Sequence, residues 1–354
     1  MRKTFDHVGL LAWFRAHRRA MPWREHPSPY AVWVSEIMLQ QTQVETVRPY
    51  FDRFVARFPS VEALARAEGA AVLKAWEGLG YYARARNLHR AAHVVVARLG
   101  GRVPETADQL AALPGIGAYT AAAIASICFG ERVPVVDGNV ARVFARVRRL
   151  DDDFRKPAAR NGLAAWLQPA FRETVSPGDL NQAMMELGAL VCRPRHPACV
   201  DCPLAQGCAA RRRGVQGNYP KRTAGAPAPV RQAVAVILKR GTRLLMTQRA
   251  EAGLLGGFWE LPGGEMDADE SVEAAARRWL RSRTGYAIGP VEAVGSVKHL
   301  FSHFTLLLHV VRARPLTREA TARRDPTVRW ISASERAQLP VATAHRRALD
   351  AAGA

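Results

Sequence analysis

The sequence predicts a mainly α N-terminal domain that carries a cysteine loop, followed by an α+β C-terminal domain. Three observations predict it. Across residues 1–210, Ala, Leu and Arg dominate and apolar residues recur at three- and four-residue intervals, as in Val61–Trp76, which is the period of a helix with one buried face. After about residue 230 the apolar runs become short and begin to pair. Just before that change, Cys192, Cys199, Cys202 and Cys208 crowd into a seventeen-residue stretch.

At 354 residues the chain is long enough for two domains, and 48% hydrophobic residues give each an ordinary core. Lys and Arg total 51 against 31 Asp and Glu, a formal charge of +20. A globular chain this basic is expected to meet a polyanion, most commonly nucleic acid. An Arg-rich composition with no such partner gives the same number, so charge alone supports this only modestly. Five cysteines with four clustered argue against a secreted disulfide scaffold. The fifth, Cys128, is expected to be a buried thiol. Arg2 and Lys3 precede no long apolar stretch, so no signal peptide is expected. No segment approaches the ~20 apolar residues of a membrane span. A reducing cytoplasm suits free thiols and the clustering of four of them.

The elements follow in order. Pro and Gly punctuate the first 210 residues at short intervals, which predicts many short helices. Trp33–Gln43 reads as a helix apolar on most sides. Leu113–Tyr119 reads as a turn and Thr120–Ser126 as an Ala-rich helix. Residues 211–230 hold Arg211, Arg212, Arg213, Lys221 and Arg222, no acid, and Pro227 and Pro229. They predict a basic, extended linker. Beyond it, Ala233–Leu238 and Arg243–Gln248 are joined by Arg240-Gly241-Thr242, a hairpin signal. Ser271–Arg283 reads as a helix, and Val291–Val297, Phe304–Val311 and Thr327–Ile331 read as strands.

The four cysteines are spaced C-x6-C-x2-C-x5-C. Zinc commonly takes paired C-x2-C hooks, and only one is present here. Four thiolates from one short loop suit an iron–sulfur cluster better. A zinc loop or a chance group of thiols is the competing reading.

Two carboxylates stand out. In Leu113-Pro114-Gly115-Ile116-Gly117-Ala118-Tyr119, two glycines bracket an apolar residue before a helix, which turns backbone N–H groups and a positive helix end outward, a cradle for phosphate. A plain connecting turn explains the same residues. Some twenty residues later, Val135-Val136-Asp137-Gly138-Asn139 places Asp137 where a helix cap is expected. A helix N-terminus also favours the ionised carboxylate. In Trp33-Val34-Ser35-Glu36-Ile37-Met38-Leu39-Gln40-Gln41-Thr42-Gln43, burial of the helix would raise the Glu36 carboxyl toward neutrality. One acid and one carboxylate form the split pair that glycoside hydrolysis uses.

The cysteine spacing, the Gly115–Gly117 hairpin followed by Asp137, and the Ser35–Gln43 run together resemble the endonuclease III superfamily of DNA glycosylases, and within it the MutY-type adenine DNA glycosylases, over nearly the whole chain. The resemblance implies a helix-hairpin-helix glycosylase domain over 1–210, with a six-helix barrel module at about 26–132 and a cluster module from 1–25 plus 133–210. It implies a [4Fe–4S] cluster on Cys192, Cys199, Cys202 and Cys208, and DNA backbone contact at Gly115 and Gly117. It implies that Glu36 protonates adenine at N7, and that Asp137 stabilises the sugar cation or attacks it. Tyr119 is placed to steady Asp137 or the sugar. It stands where lyase members carry a nucleophilic Lys, and no lysine occurs between Lys74 and Lys156, so water rather than an amine is expected to complete the reaction. Trp23, Arg24, Gln43, Asn139 and Glu186 match positions near a base flipped from the stack. For Trp23 and Met185 core packing explains the residue equally, and for Arg24 a solvated charge does. Tyr81, in Gly78-Leu79-Gly80-Tyr81-Tyr82, matches a wedge that enters the stack. Tyr82 is expected to pack, and Arg84 and Arg86 to reach phosphate. Arg193, Arg195, Arg211, Arg212 and Arg213 would make the cluster loop a phosphate-binding surface.

In the C-terminal part, Gly264, Glu270, Arg278, Gly285 and Tyr286 reproduce the Nudix spacing over the 231–354 domain. That chemistry needs glutamates on the helix to hold a divalent metal, and those positions are Trp279, Ser282 and Arg283. An Arg at a ligand position repels the ion, so a Nudix-like fold without Nudix hydrolysis is expected. Phe301-Ser302-His303-Phe304 resembles the loop by which the family recognises 8-oxoguanine, with Ser302 reading the altered base edge. A strand turn with a satisfied His is the alternative. The expected activity is monofunctional removal of adenine mispaired with 8-oxoguanine or guanine in duplex DNA, by a cytoplasmic monomer with no membrane partner. The competing functions are a bifunctional glycosylase/lyase for oxidised pyrimidines, a non-catalytic lesion-binding scaffold and a nucleotide pyrophosphatase.

Overall fold

The computed structural model describes residues 5–174, 176–221, 228–251, 253–316 and 325–353. Arg2, Lys3, Arg222 and Pro227 lie outside them. The chain divides into two compact units, Met1–Ala67 with Arg86–Ala224, and Glu68–Ala85 with Gly225–Ala354.

The first unit is helical. It contains α1 (His7–His17), α2 (Pro22–Glu25), α3 (Pro29–Leu39), α4 (Val44–Arg57) and α5 (Val61–Arg66). The chain leaves it for α6 (Gly69–Ala75) and returns along α7 (Ala83–Leu99) to α8 (Ala107–Ala111), α9 (Ala118–Phe129), α10 (Gly138–Arg148), α11 (Pro157–Glu173), α12 (Pro177–Leu190) and α13 (Ala209–Arg212). Ser28 starts α3 by accepting from the Ala31 N–H at 3.1 Å, and Pro29 fills the first turn, where its missing N–H costs nothing. Every residue from Tyr30 to Met38 is buried, as a helix apolar on all sides must be. α3 packs on α4 and α9, α9 on α8 and α12, and α12 on α1 and α10. Phe14, Val140, Phe144, Phe171, Met184 and Leu187 form the core beneath α10 and α12. Phe144→Ala would cost about 3–5 kcal/mol there.

Two sequence expectations need correction. The helical period over Val61–Trp76 belongs to two helices, because Ala67 is extended (φ −70°, ψ 148°) and α6 starts afresh at Gly69, a poor helix former. Residues 211–219 are not an extended linker. Arg211 and Arg212 end α13, Gln216–Asn218 form a 3₁₀ turn, and Tyr219 is buried with Ala145 and Ala210. An aromatic ring that can be buried holds the segment down.

The second unit is α+β. Its sheet has the order β3-β2-β1-β6-β5, with β4 on β1 and β7 on β2. The strands are β1 (Val230–Arg240), β2 (Arg243–Gln248), β3 (Trp259–Glu260), β4 (Gly263–Glu265), β5 (Glu292–Leu300), β6 (Thr305–Ala313) and β7 (Val328–Ile331). The helices are α14 (Val272–Thr284), α15 (Ala333–Gln338) and α16 (Thr343–Ala351). β1 and β6 run parallel. The β1–β2 hairpin closes at Arg240 and Arg243 around Gly241, whose φ of +58° suits the turn. Alternation along β1 sends Ala233, Ala235 and Ile237 into one core and Val234, Val236 and Leu238 into another against Ala275 and Leu280 of α14. Ser271 caps α14 by accepting from the Ala274 N–H at 3.2 Å. Among the described residues no helix is long and apolar enough to cross a membrane.

Candidate active site

A cleft of about 670 Å³ in the first unit brings together Trp23, Arg24, Glu36, Gln43, Tyr119, Asp137, Asn139 and Glu186. Glu36 enters it from α3. Because that helix is enclosed, the carboxylate is only 6% exposed, and burial pushes its pKa up to about 7. The Tyr119 O–H donates to Glu36 Oε2 at 2.9 Å and opposes the rise, as does Arg24, while the neighbouring Asp137 adds to it. Tyr119 sits in the first turn of α9, with its hydroxyl 3.5 Å from Met185 Sδ of α12. Its hydrogen bond goes to Glu36, a different partner from the Asp137 or sugar contact the sequence suggested. Met185 is half-buried, packed against the core on one side and lining the cleft on the other.

Asp137 caps α10. It accepts from the Val140 N–H at 2.7 Å and from Asn139 Nδ2 at 2.9 Å. Burial raises its carboxyl above the ordinary range, and these bonds restrain the rise. Both partners are donors, which favours the ionised form. Arg142 then donates to Asn139 Oδ1 at 2.7 Å and to the Cys192 carbonyl at 2.9 Å, tying the Asp137 turn to the cysteine loop.

Glu186 differs from both. Burial would raise it, but Arg19 binds it through Nε at 2.9 Å and Nη2 at 3.0 Å, and Arg24 approaches at 3.3 Å, so its pKa falls. Arg24 also donates to Gln182 at 2.8 Å, so it is a paired, mostly covered charge and not a solvated one. Trp23 is buried with its edge toward Phe51, centroids 5.1 Å apart, and still lines the cleft. Gln43 is exposed at the start of α4. Sequence reasoning missed Arg19 and Gln182. Their partners lie 167 and 158 positions away in sequence, so no local pattern marked them.

Gly115 takes φ +77°, and a side chain there would run into Asn87. Gly117 starts α9 with no side-chain cap and open space around it. That exposed N-terminus can accept an anion.

All four cluster cysteines line one small cavity. Arg146, fully buried, donates to Cys192 Sγ at 3.4 Å and to the Arg193 carbonyl at 2.7 Å. Cys208 Sγ lies 3.6 Å from the Arg146 carbonyl. Burial pushes Cys202 up to about 11. Among the described residues no group of side chains is arranged to hold a metal ion, but the shared cavity defines one set of four soft donors with a guanidinium beside it. This set fits a thiolate-ligated cluster in donor chemistry. Arg211 lines the cavity, while Arg193 turns to the His196 carbonyl at 3.1 Å. Cys128 is half-buried at the end of α9, a correction to its expected burial.

In the second unit Tyr81 is 44% exposed on a left-handed backbone (φ +48°). Tyr82 is buried, with its ring 4.2 Å from that of Phe258. Arg84 is buried and donates to the Gly80 carbonyl at 3.1 Å, so it holds the turn and does not extend toward phosphate. Ser302 and His303 form the exposed turn between β5 and β6, closed by the Phe301 N–H to the Phe304 carbonyl at 2.9 Å. The Phe301 and Phe304 rings stack at 4.5 Å beneath that turn. On α14, Arg278 grips Glu270 at 2.6 and 2.8 Å, and that ion pair holds Glu270 down at about 2. Trp279 donates to the Glu265 carbonyl at 2.7 Å with its indole against Gly264. Arg283 reaches the Gln248 carbonyl at 3.3 Å.

Comparison with known proteins agrees with this architecture. Residues 34–169 match the HhH-GPD superfamily of base excision DNA repair proteins, and residues 233–351 match the NUDIX domain. The chain is 34% identical to adenine DNA glycosylase from Homo sapiens, over 96% of this chain and 72% of the human protein. It is also 34% identical to adenine DNA glycosylase from Mus musculus, over 96% and 76%. The solved structure of a thermostable thymine-DNA glycosylase superposes with a TM-score of 0.53 at 27% identity, over 58% of this chain and 95% of that one. With both domains matched and likeness to the animal enzymes running nearly end to end, the chain belongs to the adenine DNA glycosylase family.

Proposed function

We propose that the protein is a monofunctional glycosylase that hydrolyses the N-glycosidic bond of adenine mispaired with 8-oxoguanine or guanine in duplex DNA. The observation that carries this reading is the pairing of Glu36 and Asp137 in one cleft, with Glu36 buried and its carboxyl near 7. Adenine is a poor leaving group as an anion. With its pKa at about 7, roughly half of Glu36 carries a proton near neutrality, and that form delivers it to N7. Tyr119 positions that carboxyl. Asp137, facing the same cleft, stabilises the oxocarbenium-like sugar or traps it. Tyr119 stands where bifunctional members of the wider superfamily carry a lyase Lys, which leaves water to finish the reaction. Glu186, neutralised by Arg19 and Arg24, fixes the wall against which Trp23, Gln43 and Asn139 receive the extruded base. Gly115 and Gly117 take phosphate at the α9 N-terminus.

Cys192, Cys199, Cys202 and Cys208 are the proposed ligands of a [4Fe–4S] cluster, which would supply a fixed local charge and cross-link the loop. Arg146 holds that loop to α10. Ser302 and His303, on their aromatic base, read the base opposite adenine, and Tyr81 fills the gap in the stack. A single copy carries all these groups, and we propose that it acts as a monomer in the cytoplasm.

The test is single-turnover reaction of a duplex with one adenine opposite 8-oxoguanine, each sample split with and without alkali. Free adenine with strand breaks only after alkali is the expected result. Breaks without alkali would support a bifunctional enzyme, and tight binding without base release would leave a lesion-binding scaffold.

A further inference from the structure

The segment that presents Tyr81 belongs to the same compact unit as the Nudix-like fold, although it lies far from it in sequence. One carboxylate ties the two together. Glu77, directly before the Gly78–Tyr82 turn, has a side chain only 8% exposed. Its Oε2 accepts from Lys74 Nζ at 2.7 Å. Its Oε1 accepts from the Val341 N–H at 3.1 Å and pairs with Arg346 Nη2 of α16 at 3.0 Å. Lys74 adds a bond to the Leu339 carbonyl at 3.1 Å. The other end of the turn is held by the Tyr82 ring against Phe258 and by the Gly78 N–H donating to the Tyr82 hydroxyl at 3.1 Å. Between these ends, Arg84 and the Trp76 indole bond the Gly80 carbonyl at 3.1 and 3.3 Å.

We infer that Glu77 is a positioning residue that makes the Tyr81 turn part of the lesion-recognition body, so that contact with the base opposite adenine sets how Tyr81 enters the stack. The inference rests on the adenine glycosylase reading and deepens it. Glu77 is outside the cleft and touches no reacting atom. Its buried carboxylate is held by Lys74, the Val341 N–H and Arg346, and a buried charge stripped of its partners is costly. That makes the docking stiff and specific to a carboxylate. Coupling through such a network typically changes a linked equilibrium by about 0.5–2 kcal/mol, which is about 2- to 30-fold.

The test compares single-turnover excision from duplexes with adenine opposite 8-oxoguanine and opposite guanine, using the full chain as wild type, Glu77→Gln, Arg346→Met and the double variant. Unstacking is read separately by 2-aminopurine fluorescence in place of the target adenine, and folding by thermal melting. Glu77→Gln keeps the shape of the side chain and loses its charge. The expected result is a fall of about tenfold in the 8-oxoguanine preference, a matching loss of fluorescence gain, and a double variant no worse than the stronger single one. Excision opposite guanine stays near wild type. Full preference in a folded Glu77→Gln, or strictly additive effects of the two substitutions, would overturn the inference. If the wild type itself releases no adenine, the glycosylase reading fails instead, which is a separate outcome.

Discussion

Glu36 in the first unit and Glu270 in the second are both helix-associated glutamates in motifs linked to hydrolysis, and their surroundings drive them in opposite directions. Glu36 is buried on α3 with a tyrosine hydroxyl as its close partner, and its carboxyl rises to about 7. Glu270 is held in a two-pronged ion pair by Arg278 and falls to about 2. The first can keep a proton to give away. The second is a fixed anion already satisfied by an arginine, next to Trp279 and Arg283 where the metal-binding pattern has carboxylates. A motif identifies where chemistry was placed, and the neighbours decide whether it can still occur.

The largest effect that would break this contrast is loss of the pair in the cleft. Glu36→Gln and Asp137→Asn should each slow adenine release by about 10²–10⁴-fold under single-turnover conditions, the usual contribution of a positioned acid or base. A loss of only severalfold in either would remove that residue from the chemistry.

The next effect is on stability. The folded protein prefers protonated Glu36, because its pKa rises from 4.5 to about 7. That stabilisation is fully present below about 4.5 and is lost as pH rises through about 7. Glu36→Gln has no such loss. Its stability advantage over wild type should therefore open across that window and level off above it at roughly 3 kcal/mol. Denaturant melts at several pH values would show it, and a constant difference would mean Glu36 is not perturbed.

A smaller effect concerns the exposed turn. Ser302→Ala should reduce the preference for 8-oxoguanine over guanine by about fivefold, the value of one hydrogen bond, while excision opposite guanine changes little. The smallest effect is an expected absence of one. Chelating divalent cations should leave adenine release unchanged, and added Mn²⁺ should elicit no nucleotide pyrophosphatase activity, because Arg278 already satisfies Glu270.

Much of this was legible in the residues, and the rest was not for physical reasons. Gly241 marks the hairpin and Ser271 marks α14, because caps and turns are local, whereas the helix read over Trp33–Gln43 runs from Pro29 to Leu39. Glu36, Asp137 and the four cysteines sit in contiguous motifs. The grip of Arg19 on Glu186 spans 167 positions, and no local pattern encodes such a pair. The bond from Arg146 to Cys192 spans 46. The break at Ala67 was hidden because α5 and α6 keep one apolar period across it. Parallel pairing of β1 with β6 was hidden because strand signals carry no direction. The membership of Glu68–Ala85 in the second unit rests on Glu77 and Tyr82 finding partners some 176–264 positions away.

The most direct test of the central claim is the pH profile of single-turnover adenine release, for wild type and Glu36→Gln. If the buried Glu36 is the proton donor, wild-type release falls as pH rises through about 7, and that limb is missing from the slow residual activity of the variant. A wild-type profile flat through neutrality, or the same limb in Glu36→Gln, would contradict it.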